Sequence, residues 1–222
     1  MSKQQKPLRV VFFGDSICVG QGVSLYRGWV ARIAEDLDRY GHEIGREIIV
    51  ANSSVNGRTT RQALEDMPYH IQSARPDLLL VQFGLNDCNY WQTDRGRPRV
   101  SRAAFTANLQ EMVDRALAFD VRKIILNTNH PTTRNKVILP NTKITYEDSN
   151  KSYNEAIRFV AANSGENVIL IDIENLMIEN GGIEFDSGGF VLEDGLHLSA
   201  NGHNFYYSSV QNVIKNTVKS LL

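Results

Sequence analysis

The chain has 222 residues, 42% of them hydrophobic and 22% charged, with a formal net charge of −1. That length supplies a sizeable buried core and fits one domain over residues 1–222. So balanced a charge, with no concentrated run of Lys and Arg, gives no field for nucleic acid or an anionic membrane, and neither is an expected partner.

The opening "MSKQQKPLRV" is short, polar and mildly basic, without the apolar stretch and small-residue cleavage site of a secretory signal. No segment is apolar for long enough to span a bilayer, so no stable membrane anchor is expected. The two cysteines, Cys18 and Cys88, are too few for a disulfide framework. A reducing, cytoplasmic setting is the expectation.

Five apolar runs then read as strands: "LRVVFFG" (8–14), "EIIVANS" (47–53), "DLLLVQFG" (77–84), "KIILNTN" (123–129) and "NVILIDI" (167–173). Each is nearly continuous, not alternating, as in strands covered on both faces of a parallel sheet. Between the first two, "GWVARIAEDLDRYG" aligns Val30, Ile33, Ala34 and Leu37 on one helical face, with Gly41 as a stop. A helix expected after Gly57 should break or restart at Pro68. "SRAAFTANLQEMVDRALAF" aligns Phe105, Leu109, Met112, Val113 and Ala116 behind Ser101 as N-cap. "SYNEAIRFVAANSG" aligns Tyr153, Ile157, Val160 and Ala161, and the C-terminal helix aligns Val210, Val213, Ile214 and Leu221. Alternating strands and helices predict an α/β fold: a three-layer α/β/α sandwich, flavodoxin-like, around a five-stranded, mainly parallel sheet. The long irregular stretch from His130 to Asp148 is a candidate functional loop.

In such a sheet, ligands bind beyond the carboxyl ends of the strands. Asp15 and Ser16 follow the first strand, "NSSVNG" (52–57) the second, Asn86 and Asp87 the third, and Asn129 and His130 the fourth. Beyond the fifth comes "LEDGLHLSANGH", with Asp194 and His197. A hydroxyl, amide donors, an imidazole and a carboxylate on one edge meet the demands of acyl transfer. Asp194 and His197 are one tight turn apart, so the carboxylate could hold one ring nitrogen while the other faces Ser16. Taken alone, Ser16 or Asp15 also reads as a helix cap.

These blocks resemble the SGNH hydrolase family, also called GDSL esterases and lipases. "GDSI" (14–17) is similar to the nucleophile block, with Ile17 where the family name has Leu. The resemblance implies a serine hydrolase acting on ester bonds, with a catalytic triad of Ser16, Asp194 and His197. It further implies an oxyanion hole from the N–H groups of Ser16 and Gly57 and the side chain of Asn86. The matched blocks run from residue 14 to residue 197. His197 would take the proton of Ser16, Asp194 would orient the ring, and water would release the acyl group from an acyl-enzyme.

Other residues carry weaker readings. Asp15 and Asp87 read as structural braces, Asp172 as a less favoured partner for His197, and His42, His70 and His203 as surface or satisfied groups. Tyr90, Trp91 and His130 are candidates for substrate contact, Trp29 for core packing, and Tyr26 for either. Arg95, Arg97 and Arg99 read as a solvated loop face, with an anionic substrate group as the alternative. Cys18 and Cys88 read as buried free thiols, a redox lock being the alternative. No His, Cys and carboxylate spacing suits a metal, so no metal or cofactor is expected. The expected partner is a small-molecule ester, small or lipid-like. A thioester, an acetylated carbohydrate, or a non-catalytic flavodoxin-like ligand-binding role are the alternatives. An α/β-hydrolase is disfavoured because Gly-x-Ser-x-Gly is missing around Ser16, and phosphate binding because no Walker lysine follows.

Overall fold

Five strands form one parallel sheet: β1 (Leu8–Gly14), β2 (Ile48–Asn52), β3 (Leu78–Gln82), β4 (Lys123–Asn127) and β5 (Val168–Ile171). Their order is β2-β1-β3-β4-β5, and every neighbouring pair is parallel. The computed structural model describes residues 6–180 and 189–222. The opening segment read above as lacking a leader lies partly outside the described residues.

The continuous apolar runs of β3 and of most of β1 and β4 are buried from end to end. The edge strands differ from the sequence expectation of two covered faces. Most of β2 is half-buried or exposed, and β5 is half-buried over Val168–Leu170, because each has a neighbour on one side only.

The helices are α1 (Ser16–Val19), α2 (Trp29–Ile44), α3 (Thr60–Met67), α4 (Arg102–Ala118), α5 (Tyr146–Asn163), α6 (Ile173–Glu179) and α7 (Ala200–Ser220). One layer pairs α2 with α7, and the other packs α3, α4 and α5 side by side. The sandwich is therefore three-layered, as the alternation predicted. Helix α2 runs past Gly41 to stop at Gly45, which adopts the left-handed conformation that ends helices. Gly41 sits inside the helix, where a Cβ would meet Arg46 O at 2.7 Å. As expected, α3 ends before Pro68, and a single wider turn, Pro68–Gln72, follows. Ser101 caps α4 through the N–H of Ala104. The run read as a fifth strand to residue 173 instead turns at Asp172, whose side chain caps α6 at Asn175.

Trp29 joins the two halves of the α2–α7 layer. Its ring stacks on Tyr206 at 4.7 Å and meets Phe12 edge-on, and its Nε1–H donates to Ile17 O at 3.0 Å. That indole is core, and it tethers the residue next to Ser16. The chain reverses direction across the sheet between β1 and β3, so the crevice above these strands is the natural ligand site of the fold.

Candidate active site

At the end of β1 the backbone of Gly14 passes so close to its neighbours that a Cβ would meet Cys18 Sγ at 2.7 Å and Gln82 O at 2.8 Å. The strand turns at once into α1, capped by Asp15, whose Oδ1 accepts from the Ile17 N–H at 3.0 Å. Ser16 is thus the first residue of a helix at the crevice between β1 and β3. Asp15 is fully buried, and its Oδ2 accepts from Asn86 Nδ2 at 3.2 Å. Burial pushes its carboxyl up to about 7; the Ile17 and Asn86 hydrogen bonds work against that rise, and nearby Asp87 adds to it.

His197 arrives from the far end of the chain on a small hairpin. Val191 pairs with Leu198, the Leu192 N–H donates to His197 O at 2.7 Å, and the Gly195 N–H donates to Leu192 O at 2.8 Å. Asp194 sits at the tip. Its Oδ1 accepts from the N–H groups of Leu196 (2.8 Å) and His197 (3.0 Å), while its Oδ2 faces His197 Nδ1 at 2.5 Å. Burial raises this carboxyl, but those hydrogen bonds outweigh it and hold Asp194 below the usual carboxylate range. On the other side of the ring, His197 Nε2 lies 3.0 Å from Ser16 Oγ. A carboxylate only accepts, so Nδ1 carries the proton and Nε2 presents its lone pair to the hydroxyl.

The stretch after β4 grips the hairpin. His130 Nε2 donates to Leu196 O at 2.8 Å, the Thr133 N–H to Gly195 O at 3.1 Å, and Arg134 Nε to Asp194 O at 2.8 Å. Three successive carbonyls are thus held from one side. His130 is fully buried behind the turn and not on a surface facing substrate, because its ring spans from β4 to the Leu196 carbonyl. Burial also drives its pKa down to about 4, which keeps the ring neutral. His203 is buried and neutral for the same reason, accepting from the Trp29 N–H through Nδ1.

Gly57 lies between β2 and α3, and Asn86 in the turn after β3. The N–H groups of Ser16 and Gly57 find no acceptor among the described residues. The Asn86 turn is braced from several elements. Asp87 accepts from the Thr60 N–H (2.9 Å) and hydroxyl (2.5 Å) at the start of α3. Tyr146 and Ser149 of α5 donate to Leu85 O (2.5 Å) and Cys88 O (2.8 Å). Asp87 and Asp15 therefore act as braces.

Asp172 is engaged elsewhere, by Arg158 and Thr128, and does not meet His197. Tyr90 is half-buried and bridges to Pro98, while Trp91 is 52% exposed on the rim of the crevice. Cys18 and Cys88 are buried and free. Arg99 was read with its neighbours as a solvated loop residue. It instead reaches inward, donating to Asn86 Oδ1 at 3.2 Å and to Gly57 O at 3.1 Å. Three arginines at alternate positions of one loop carry no local signal that distinguishes the one turned inward.

A sequence model of the GDSL-like Lipase/Acylhydrolase family matches residues 12–205. The chain belongs to that family. Relatives include the isoamyl acetate-hydrolyzing esterase 1 homolog of Bos taurus, 30% identical over 96% of this chain and 84% of that protein. Among solved structures, the lipase/acylhydrolase from Enterococcus faecalis superposes with a TM-score of 0.72 at 24% identity, covering 94% of this chain and 96% of that one. Axe2, an acetylxylan esterase from Geobacillus stearothermophilus, superposes with a TM-score of 0.74 at 20% identity over 92% and 93% of the two chains. Both superpositions bear on the fold, the GDSL hydrolase sandwich. Among the described residues no helix is long and apolar enough to cross a membrane.

Proposed function

We propose that this chain is a serine esterase that hydrolyses small carboxylic esters through an acyl-enzyme. The observation that carries this reading is one hydrogen-bonded line, Ser16 Oγ to His197 Nε2 at 3.0 Å and His197 Nδ1 to Asp194 Oδ2 at 2.5 Å. Along it, Oγ attacks the ester carbonyl as its proton passes to Nε2, and the Asp194 carboxylate balances the imidazolium that forms. The new oxyanion is met by the N–H groups of Ser16 and Gly57 and by the second N–H of Asn86 Nδ2, the first being held by Asp15. The proton on Nε2 then goes to the leaving alkoxide. A water attacks the acyl-enzyme by the same route, releasing the acid and restoring Ser16.

A short, apolar ester suits the surroundings. Leu25, Tyr26, Val55, Trp91 and Ile138 are exposed apolar side chains in the connections that follow β1, β2, β3 and β4. A relative 30% identical is named for the hydrolysis of isoamyl acetate, an ester of that kind. Thioesters and acetylated carbohydrates are cleaved by the same acyl-transfer chemistry. The buried free thiols of Cys18 and Cys88 suit a cytoplasmic setting, checked by fractionation of producing cells.

A rate series on p-nitrophenyl esters from acetyl to palmitoyl, for wild type, Ser16→Ala and His197→Ala, tests the proposal. The expected profile peaks at short acyl groups and vanishes in both variants. Turnover that persists in Ser16→Ala refutes the nucleophile; a peak at long chains refutes the short-acyl reading alone.

A further inference from the structure

Arg99 touches both loops of the proposed oxyanion hole. One arm of its guanidinium, Nη1, donates to the side-chain carbonyl of Asn86 at 3.2 Å, and the other, Nη2, donates to the backbone carbonyl of Gly57 at 3.1 Å. The two acceptors come from different crossovers of the sheet, Gly57 between β2 and α3 and Asn86 between β3 and α4, and Arg99 reaches across to Gly57 from the later part of the second. Its own backbone is fixed, with the Arg99 N–H donating to Asn89 O at 2.9 Å and the Val100 N–H to Asp87 O at 3.2 Å. Trp91 covers the guanidinium, 4.4 Å from ring centroid to Cζ.

Each contact has a directional consequence. An arginine can only donate, so the side of Asn86 that faces it must be Oδ1, which leaves Nδ2 on the side of the Asp15 carboxyl. The amide is thereby held against a half-turn, and a flipped amide would aim an oxygen at the oxyanion. A cation on the amide oxygen also polarises the group and strengthens its remaining N–H as a donor. At Gly57, the carbonyl bound by Arg99 shares a peptide plane with the Arg58 N–H, which donates to Val55 O at 3.2 Å. That plane is gripped at both ends, and it sets the direction of the neighbouring Gly57 N–H.

Resting on the reading of Asn86 and Gly57 as oxyanion donors, we infer that Arg99 is a positioning residue that locks both donors toward the reacting carbonyl with one planar fork. Lysine does not replace it, because a flexible point charge has no fixed fork to span two carbonyls. The substrate itself need not touch the guanidinium.

The test uses the rate at which a fluorophosphonate labels Ser16, since its phosphoryl oxygen needs the same donors and no knowledge of the substrate. Arg99→Ala should label about 10- to 100-fold more slowly, somewhat less than the loss of a whole donor. Arg99→Lys should recover little of this, and guanidinium ion added to Arg99→Ala should recover part. Combined with Asn86→Ala, the Arg99→Ala change should add less than it does in the wild-type background, because one of its targets is gone. With p-nitrophenyl acetate, kcat should fall while KM holds.

Wild-type rates in Arg99→Ala, full additivity with Asn86→Ala, or a raised KM at unchanged kcat would each overturn the positioning role and leave the serine mechanism standing. Failure of wild type to label at Ser16 would overturn the mechanism and the role of Arg99 together. Thermal melts of each variant separate a loosened fold from a loosened site, and guanidinium rescue is not expected of a misfolded chain.

Discussion

Gly195→Ala probes how tightly the turn carrying His197 is held. Gly195 has φ +70°, in the left-handed region, and an added Cβ would lie 2.5 Å from Thr133 Oγ1 and 3.3 Å from Arg134 Cγ. The backbone conformation alone costs an L-residue about 1–2 kcal/mol. Thr133 must also swing away, weakening the 3.1 Å bond from its N–H to Gly195 O, worth about 1 kcal/mol net. The variant should therefore lose about 2–3 kcal/mol of stability. Its kcat should fall further than that suggests, because a shift of about 1 Å at a reacting group can cost roughly a hundredfold. Urea melts read the first quantity and p-nitrophenyl acetate turnover the second. Thr133→Ala in the same chain removes the nearest obstructing oxygen and should return the steric share while leaving the φ share. Wild-type kcat and stability in Gly195→Ala, or no recovery with Thr133→Ala, would refute the view that the stretch after His130 sets the position of His197.

Asp194→Asn keeps an acceptor for the Leu196 and His197 N–H groups but no longer fixes the ring tautomer, so kcat should drop by about 10⁴ at little cost in KM; a loss under tenfold would argue against Asp194 as orienter. Asp87 is pushed from 3.8 to about 6, chiefly by burial. A raised carboxyl pKa means its contribution to stability is whole below about pH 4 and is lost as pH rises through about 6. Asp87→Asn should therefore gain on wild type by up to about 3 kcal/mol between pH 4 and 7 in urea melts, and a constant gap would count against a buried, reluctantly charged Asp87. Trp29→Ala should lose about 3–5 kcal/mol, as for other buried aromatics. Esterase activity should fall with it, since the indole N–H also holds the carbonyl of Ile17; full activity with lowered stability would limit Trp29 to packing.

Much of the architecture was legible before any coordinates, for identifiable reasons. Strands β1, β3 and β4 lie inside the sheet, so their sequences are almost uninterrupted apolar runs, and the polar blocks behind them stand out. The meeting of Ser16, Asp194 and His197 could be expected because Asp194 and His197 share one turn and the blocks resemble those of the family; in the structure that turn follows β5 at the far edge of the sheet, and α7, docked on α2, leads away from it. The edge strands were harder, since an apolar run reads alike whether one face is covered or two. Helix α6 was hidden because Asp172, its cap, directly follows the last apolar residues of β5. Arg99 and His130 were misjudged for a deeper reason. Each acts on a backbone or amide carbonyl contributed by a distant segment, and a carbonyl has no signature in the sequence.

Ser16 and His197 touch across 181 positions of the chain. Bringing such distant segments together carries a loop-closure cost that no local helix or turn offsets. Helix α7 follows directly after that turn and docks on α2 through Tyr206 and His203, both against Trp29. Recovery of esterase activity after denaturation thus reports the arrival of the C-terminal segment on the sandwich. Trp29, fully buried while Trp91 is half-exposed, supplies the optical counterpart of the same event. Enzyme assays and tryptophan emission should therefore share one time constant in refolding, and helical signal by circular dichroism can run ahead of both.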